Sequence, residues 1–179
     1  RVETHTEIAV STEDDVEIRR IKLTNRSETI RSLVVTSYAE VVLAPGVTDE
    51  LHRAFSNLFV QAELAPDHHA ILMTRRPRSL EEQPAWMFCL LLAAGAEVGP
   101  CSYDTDRARC IGRDRSVRQP ALLDDWGPLA GTAGPVLDPC GALRRNVELP
   151  IDGSAQLDLI IGAAPTREAA MALVSKHQD

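Results

Sequence analysis

Aromatic side chains are scarce: two tryptophans, two tyrosines and three phenylalanines make up 4% of the 179 residues. Sugar rings stack their apolar faces on flat side chains, so this scarcity weighs against an independent carbohydrate-binding module. Basic charge is not in excess either. The 19 Lys and Arg stand against 26 Asp and Glu, a net charge of −7, where a nucleic-acid binder would show a basic face. The longest apolar run, AWMFCLLLAAGA at 85–96, falls well short of the roughly 20 residues of a membrane-spanning helix. The four cysteines, Cys89, Cys101, Cys110 and Cys140, include no C-x-x-C pair. Scattered thiols fit reduced, buried side chains and a cytoplasmic setting, and disfavour an extracellular adhesion or assembly sandwich. No signal peptide or basic leader opens the chain, so we expect a segment of a longer protein. No G-x-S-x-G, Walker loop or dinucleotide fingerprint occurs.

What is present is alternation. Residues 3–10 and 15–24 alternate apolar and polar as half-buried strands do. In the second, Val16 and Ile18 share one parity and Ile21 and Leu23 the other, which predicts a bulge near Arg19 or a strand buried partly on both faces. Asn25-Arg26-Ser27 matches a glycan acceptor, but Asn and Ser at such positions favour a turn. A long β-branched run follows at 30–44 and stops at Pro45-Gly46. Further strands are predicted at 55–64, 69–76, 142–150 and 154–162, with 85–93 reading as a strand buried on both faces. Residues 95–139 are loop-rich. A helix at 166–178 repeats Ala170, Leu173, Val174 and His177 on one face, with Thr166 as its N-cap. Many short strands and one terminal helix imply an all-β, antiparallel sandwich.

Few constellations carry chemistry. His68 and His69 are adjacent, so on a strand they face opposite ways and do not chelate one ion; no metal site is expected. Asp104, Asp106, Asp124, Asp125 and Asp138 supply carboxylates that two-acid glycoside hydrolysis would need, but loop spacing fixes no separation. Arg107, Arg109, Arg113, Arg115 and Arg118 offer guanidinium forks suited to phosphate or polyhydroxyl partners, or to pairing with neighbouring aspartates. Trp86 falls in a buried run, and Trp126, between Asp125 and Gly127 in a loop, is the sugar-stacking candidate or a loop anchor.

Five stretches in one order carry a resemblance: residues 13–45, HRAFSNLFV (52–60), YDTDRARCIGRDR (103–115), GPLAGTAGPVLDPCGALRR (127–145) and GAAPTREAA (162–170). Together they resemble glycoside hydrolase family 94, formerly glycosyltransferase family 36. Within it the chain is similar to the phosphorylase-like region of cyclic β-1,2-glucan synthases and to β-1,2-glucan phosphorylases. The resemblance implies an N-terminal β-supersandwich of the galactose-mutarotase-like kind over 1–165. Residues 166–179 would then begin a linker helix toward an (α/α)6 barrel. It further implies inverting phosphorolysis by the parent protein, with inorganic phosphate as co-substrate and no other cofactor. The general acid, an Asp, and the phosphate site lie on the barrel, so no catalytic residue is expected here. The implied partners are a β-glucan oligosaccharide, the barrel and a second copy in a homodimer, and the implied parent is an inner-membrane protein. Family sandwiches lend loop residues to the substrate pocket, which directs attention to Asp106, Arg107, Gly112 and Arg113, with Trp126 beside them. The match has two departures. Cys110 stands where the family's D-R-x-R-F-[IL]-G-R loop carries an aromatic, and Gly141 where a bulkier side chain is usual.

Overall fold

A computed structural model describes residues 1–178. Its first strands are β1 (Val2–Val10), β2 (Val16–Asn25) and β3 (Arg31–Glu40). Helix α1 (Gly46–Asn57) precedes β4 (Val60–Ala65), β5 (Ala70–Arg75) and β6 (Trp86–Ala94). Then come β7 (Glu97–Val98), β8 (Ser102–Asp106) and α2 (Arg107–Ile111). The chain closes with β9 (Pro139–Leu149), β10 (Ser154–Ala164) and α3 (Arg167–Lys176). All pairings are antiparallel. Six strands form one sheet in the order β1-β2-β10-β6-β5-β4; β3, β9 and β7 form the other, with β8 also along β9.

Alternation along the strands builds two cores on one sheet. Ile71, Met73, Cys89, Leu91, Ala155 and Leu157 point at Leu143, Val147 and Leu149 of β9, filling the space between the sheets. Their neighbours of opposite parity, among them Leu72, Phe88, Leu90 and Ile160, pack beneath α3 through Ala170 and Val174. This explains the double burial of β6 and the parity switch in β2. Val16 and Ile18 belong to the core under α3, whereas Leu23 and Ile21 belong to the core between the sheets. The register of β2 against β1 and β10 runs unbroken, so the strand has no bulge. Gly162 keeps the α3 side closed, because a Cβ there would lie 2.5 Å from Phe88.

The run at 55–64 is not one strand. Helix α1 occupies its first part, starting beyond Pro45, whose φ of −55° suits a helix start. Val47, Leu51, Phe55 and Leu58 lie at near-helical spacing, and the local F-S-N-L-F-V alternation imitates a strand. α1 is kinked at His52 (φ −145°, ψ 47°). β3 ends at Glu40, earlier than its β-branched run, and the region 95–139 contains β7, β8 and α2 besides its loops.

At the far end, α3 forms as its sequence predicts, with Thr166 Oγ1 accepting from the Ala169 N–H at 3.1 Å. Its last turn is held by two turns of the six-stranded sheet. Lys176 Nζ donates to Asp14 at 2.8 Å, and His177 Nε2 lies 3.3 Å from the same carboxylate. His68 Nδ1 stands 2.7 Å from Gln178 Oε1, while Gln178 Nε2 donates to the His68 carbonyl at 2.8 Å. His68 is thus a docking residue of α3, and His69 leaves the turn in a left-handed conformation (φ 52°).

The bond from Lys176, opposed by burial and aided by His177, holds the Asp14 carboxyl below its ordinary value. A depressed folded pKa stabilises above the unfolded value, near 3.9, and that contribution is lost as pH falls through the folded value. Protection factors of amides in residues 173–178 are therefore expected to stay level from pH 7 to pH 5 and to fall below about pH 4. In Asp14→Asn this acid-dependent loss should vanish. An unchanged acid profile in that variant would contradict the assignment.

Candidate functional site

Glu40 is the centre of the site. It is the last residue of β3, and strand parity places it with Tyr38 on the outer face of the smaller sheet. Arg107 Nε donates to Glu40 Oε1 at 3.0 Å, Arg53 of α1 donates to Oε2, and the Tyr38 hydroxyl donates to Oε1 at 3.2 Å. Arg107 continues the chain through Nη1 to Asp138 Oδ2 at 3.6 Å. Asp138 Oδ1 accepts from Asn57 Nδ2 at 2.8 Å, and the Asp138 carbonyl accepts from the Arg107 N–H at 3.0 Å. Four distant pieces of chain are joined by these bonds. Burial acts to raise the Glu40 carboxyl, but the Arg107 and Arg53 guanidiniums outweigh it and hold the group below the usual carboxylate range. Glu40 therefore stays ionised at neutral pH and is no proton donor.

The network borders a cavity of about 750 Å³ lined by Arg53, Phe55, Asn57, Leu58, Arg107 and Asp138, with Leu137 at its edge. Such a volume accommodates a small ligand. The Phe55 ring meets Phe59 edge-on at 5.2 Å. Phe59 in turn lies under three guanidiniums, those of Arg75, Arg76 and Arg78, 5.2–5.8 Å from its centroid. Arg75 is almost fully buried, and its Nε and Nη2 have no hydrogen-bond partner among the described residues, so the ring face takes up charge that other groups leave. The rim thus combines guanidinium forks, an amide, carboxylates and an aromatic ring. That combination suits a polyhydroxylated ligand, whose hydroxyls need donors and acceptors together. Among the described residues no group of His, Cys, Asp and Glu is arranged to hold a metal ion.

Of the residues singled out from sequence, Arg107 and Asp138 line this cavity. Asp106 caps α2, accepting from the Ala108 N–H at 2.9 Å, and lies 3.8 Å from Arg109. Gly112 ends α2 at φ +91°, where a Cβ would press Ala121 at 3.1 Å. Arg113 is exposed in the turn that follows. Trp126 is exposed on the outer face of the smaller sheet, apart from the cavity. The aspartate pairing of the Arg-rich segment is partly realised, as Arg115 Nη1 meets Asp124 at 2.6 Å. Glu40, Arg53, Phe55, Asn57 and Tyr38 escaped the sequence reading. Their one local signal is the unusual S-Y-A-E end of a β-branched strand, where Tyr38 and Glu40 share one parity.

Beside the network lies a third small core of Cys110, Cys140 and Ala142, with the two sulfurs 3.6 Å apart. The Cys110 contact and burial both raise the Cys140 thiol, and burial pushes Cys89 up to about 12, so neither is a ready nucleophile. Cys110, in place of the family's aromatic, is fully buried here. Gly141 faces Cys89 and Met73, and a Cβ there would lie 3.1 Å from both.

Two antiparallel sheets packed face to face, with a guanidinium-lined cavity at one end, define a β-supersandwich domain. The chain belongs to the glycosyl hydrolase 94 family, whose supersandwich-domain model matches residues 1–179. It is 33% identical over 172 residues to the cyclic beta-(1,2)-glucan synthase NdvB of Rhizobium meliloti (strain 1021). That match covers 96% of this chain but 6% of the relative's length. No helix among the described residues is long and apolar enough to cross a membrane.

Proposed function

We propose that this chain is the non-catalytic sandwich of an enzyme acting on β-1,2-glucans, and that the cavity beside α1 forms part of the wall of the glucan site. The observation that carries this reading is the Arg53–Glu40–Arg107–Asp138–Asn57 network along a cavity rimmed by Phe55. Family membership and the named relative support the glucan as ligand. The exposed apolar side chains of Val47, Leu51, Phe55, Leu58 and Leu137 support docking of the catalytic (α/α)6 barrel against the same end. α3 then leads the chain toward that barrel, and the scattered thiols support a cytoplasmic domain. The parent performs inverting phosphorolysis or the related glucan synthesis, with inorganic phosphate as co-substrate.

The test uses the full-length parent enzyme. Arg107→Ala and Arg53→Ala are each expected to raise KM for β-1,2-glucan about tenfold while kcat changes about twofold or less, because wall contacts bind ground and transition states alike. The 179-residue chain alone is expected to release no glucose 1-phosphate from β-1,2-glucan and phosphate. Unchanged kinetics in both folded variants, or turnover by the chain alone, would overturn the reading.

A further inference from the structure

Trp126 is 65% exposed, yet side chains of β9 hold the loop that carries it. Arg144 of β9, 3% exposed, reaches out from the smaller sheet into this loop. Its Nη1 donates to the carbonyls of Asp125 (2.8 Å) and Gly127 (2.9 Å), the residues on either side of Trp126. Its Nη2 donates to the Leu122 carbonyl, and its Nε to Thr36 Oγ1 of β3 at 2.9 Å. Asn146 Nδ2 lies 3.5 Å from the carbonyl of Trp126 itself. Gly127 is tied back by its N–H to Asp125 Oδ1 at 2.9 Å. A buried guanidinium that spends every nitrogen on holding main chain and sheet is a mounting. What it mounts is an indole turned to solvent, where burial contributes nothing to the fold.

The surroundings of the ring are concave on both sides. A depression of about 510 Å³ runs between the ring and Thr36, Asp125 and Arg144. A second, of about 320 Å³, lies on its other side against Glu97, Asn146 and Glu148. Both are floored by Ser32, Leu33 and Val34, so they form one track along β3 with the indole standing midway. Thr36 and Asp125 on one side, and Glu97, Asn146 and Glu148 on the other, set polar groups among the apolar side chains of the track, Leu122 and Leu123 included. An exposed indole in a mainly apolar track, with hydrogen-bonding groups set along it, is the chemistry that receives consecutive pyranose rings: the ring faces stack, and the equatorial hydroxyls find donors and acceptors at intervals. Because the plate is held in place beforehand, little ordering entropy opposes binding.

We infer that Trp126 and the track beside β3 form a surface site for a β-linked glucan chain, separate from the cavity at α1. The identity of the ligand rests on the proposed function; the location of the site does not. An extended peptide adding to the free edge of β3 is the competing occupant, but it would be read by main-chain bonds and would not need the indole.

The experiment is a titration of the chain in a Trp86→Phe background, so that Trp126 is the remaining tryptophan, with sophorose and longer linear β-1,2-gluco-oligosaccharides. Far-UV circular dichroism and melting confirm folding of each variant. The expected results are a saturable change in Trp126 emission and affinity that grows from sophorose to the longer chains. By calorimetry, binding should be about tenfold weaker in Trp126→Ala and partly restored in Trp126→Phe. Ile8→Ala, an exposed change on β1 outside both depressions, should leave this binding unchanged. Equal affinity in Trp126→Ala and the parent chain overturns the inference, as does the absence of any saturable emission change. If affinity falls with Arg107→Ala and not with Trp126→Ala, the cavity at α1 is the glucan site and the Trp126 site is refuted alone. A saturable emission change produced by a chain-extending peptide and not by glucan assigns the track to a peptide, and likewise refutes it.

Discussion

Asn25→Ala is expected to destabilise the domain by roughly 2–4 kcal/mol, the range for stranding several buried main-chain groups at once. Asn25 ends β2 and is wholly buried. Its Nδ2 donates to the carbonyls of Thr29 (2.8 Å), Leu149 (3.2 Å) and Pro150 (3.0 Å). Its Oδ1 accepts from the Ser27 N–H at 3.0 Å and the Ser27 hydroxyl at 2.7 Å. Since a main-chain N–H only donates, the Ser27 contact settles which amide atom is oxygen. Leu149 belongs to the four-stranded sheet and Asn25 to the six-stranded one, so a single amide clasps both sheets and two turns. Urea unfolding with an unchanged m-value measures the loss. Asn25→Asp gives a sharper result. A carboxylate there would turn an acceptor toward three carbonyls, so the variant should be less stable than Asn25→Ala at pH 7. Its folded pKa would be raised and the native state would bind the extra proton, so stability should recover as pH falls. Equal stability of the two variants at pH 7 would contradict the geometry. The same bonds answer the glycan question, because the nitrogen that a glycan would need is buried and occupied.

The second large effect is expected from Arg144→Ala. The substitution leaves the carbonyls of Leu122, Asp125 and Gly127 and the Thr36 hydroxyl without their donor, and it empties buried volume against the sheet. Bonds from a charged donor contribute about 1.5–3 kcal/mol each in isolation. Because the loop is at the surface and water can replace some of them, the net cost should be about 2–4 kcal/mol. The loss should be local in character: amide protection over residues 121–129 should collapse while that of β5 and β6 falls only with global stability. Arg144→Lys keeps the charge but not the planar fork, so it should recover less than half of the difference. A variant whose loop amides stay as protected as the parent's would show that the loop is held by other means. Burial lowers the Arg144 guanidinium from its ordinary value, yet an arginine keeps its proton at any pH in which the protein folds, so this mounting is insensitive to pH.

How far the sequence carried these conclusions depended on the range of the interactions involved. β6 was readable because its neighbours on both faces are apolar, which leaves a continuous apolar run. α3 was readable because cap, period and polar face all lie within a dozen residues. α1 was not, because the F-S-N-L-F-V alternation at its end imitates a strand and its helically spaced apolar residues point to solvent. The site was least legible of all. Glu40, Arg53, Arg107 and Asp138 come from four separate parts of the chain, and nothing in the spacing of any two of them announces the others. Arg107 was found through its local motif. Gly141 was noticed as a departure, but its reason, contact across the sandwich with Cys89 and Met73, exists only in three dimensions.

The strand order also governs when this domain can fold. β10 lies between β2 and β6, and β9 between β3 and the short strands β7 and β8, so the last two strands supply a central strand to each sheet. Thr24 waits for Ser154, and Arg31 for Leu149. During synthesis the early strands can form only the β1–β2 hairpin and the β4–β5–β6 meander, and neither sheet closes until β9 and β10 have left the ribosome. Such long-range closure makes for slow folding. Through that interval β2, β3 and β6 present unpaired apolar edges, which makes the nascent domain a client for chaperones and gives premature termination before β9 an aggregating product.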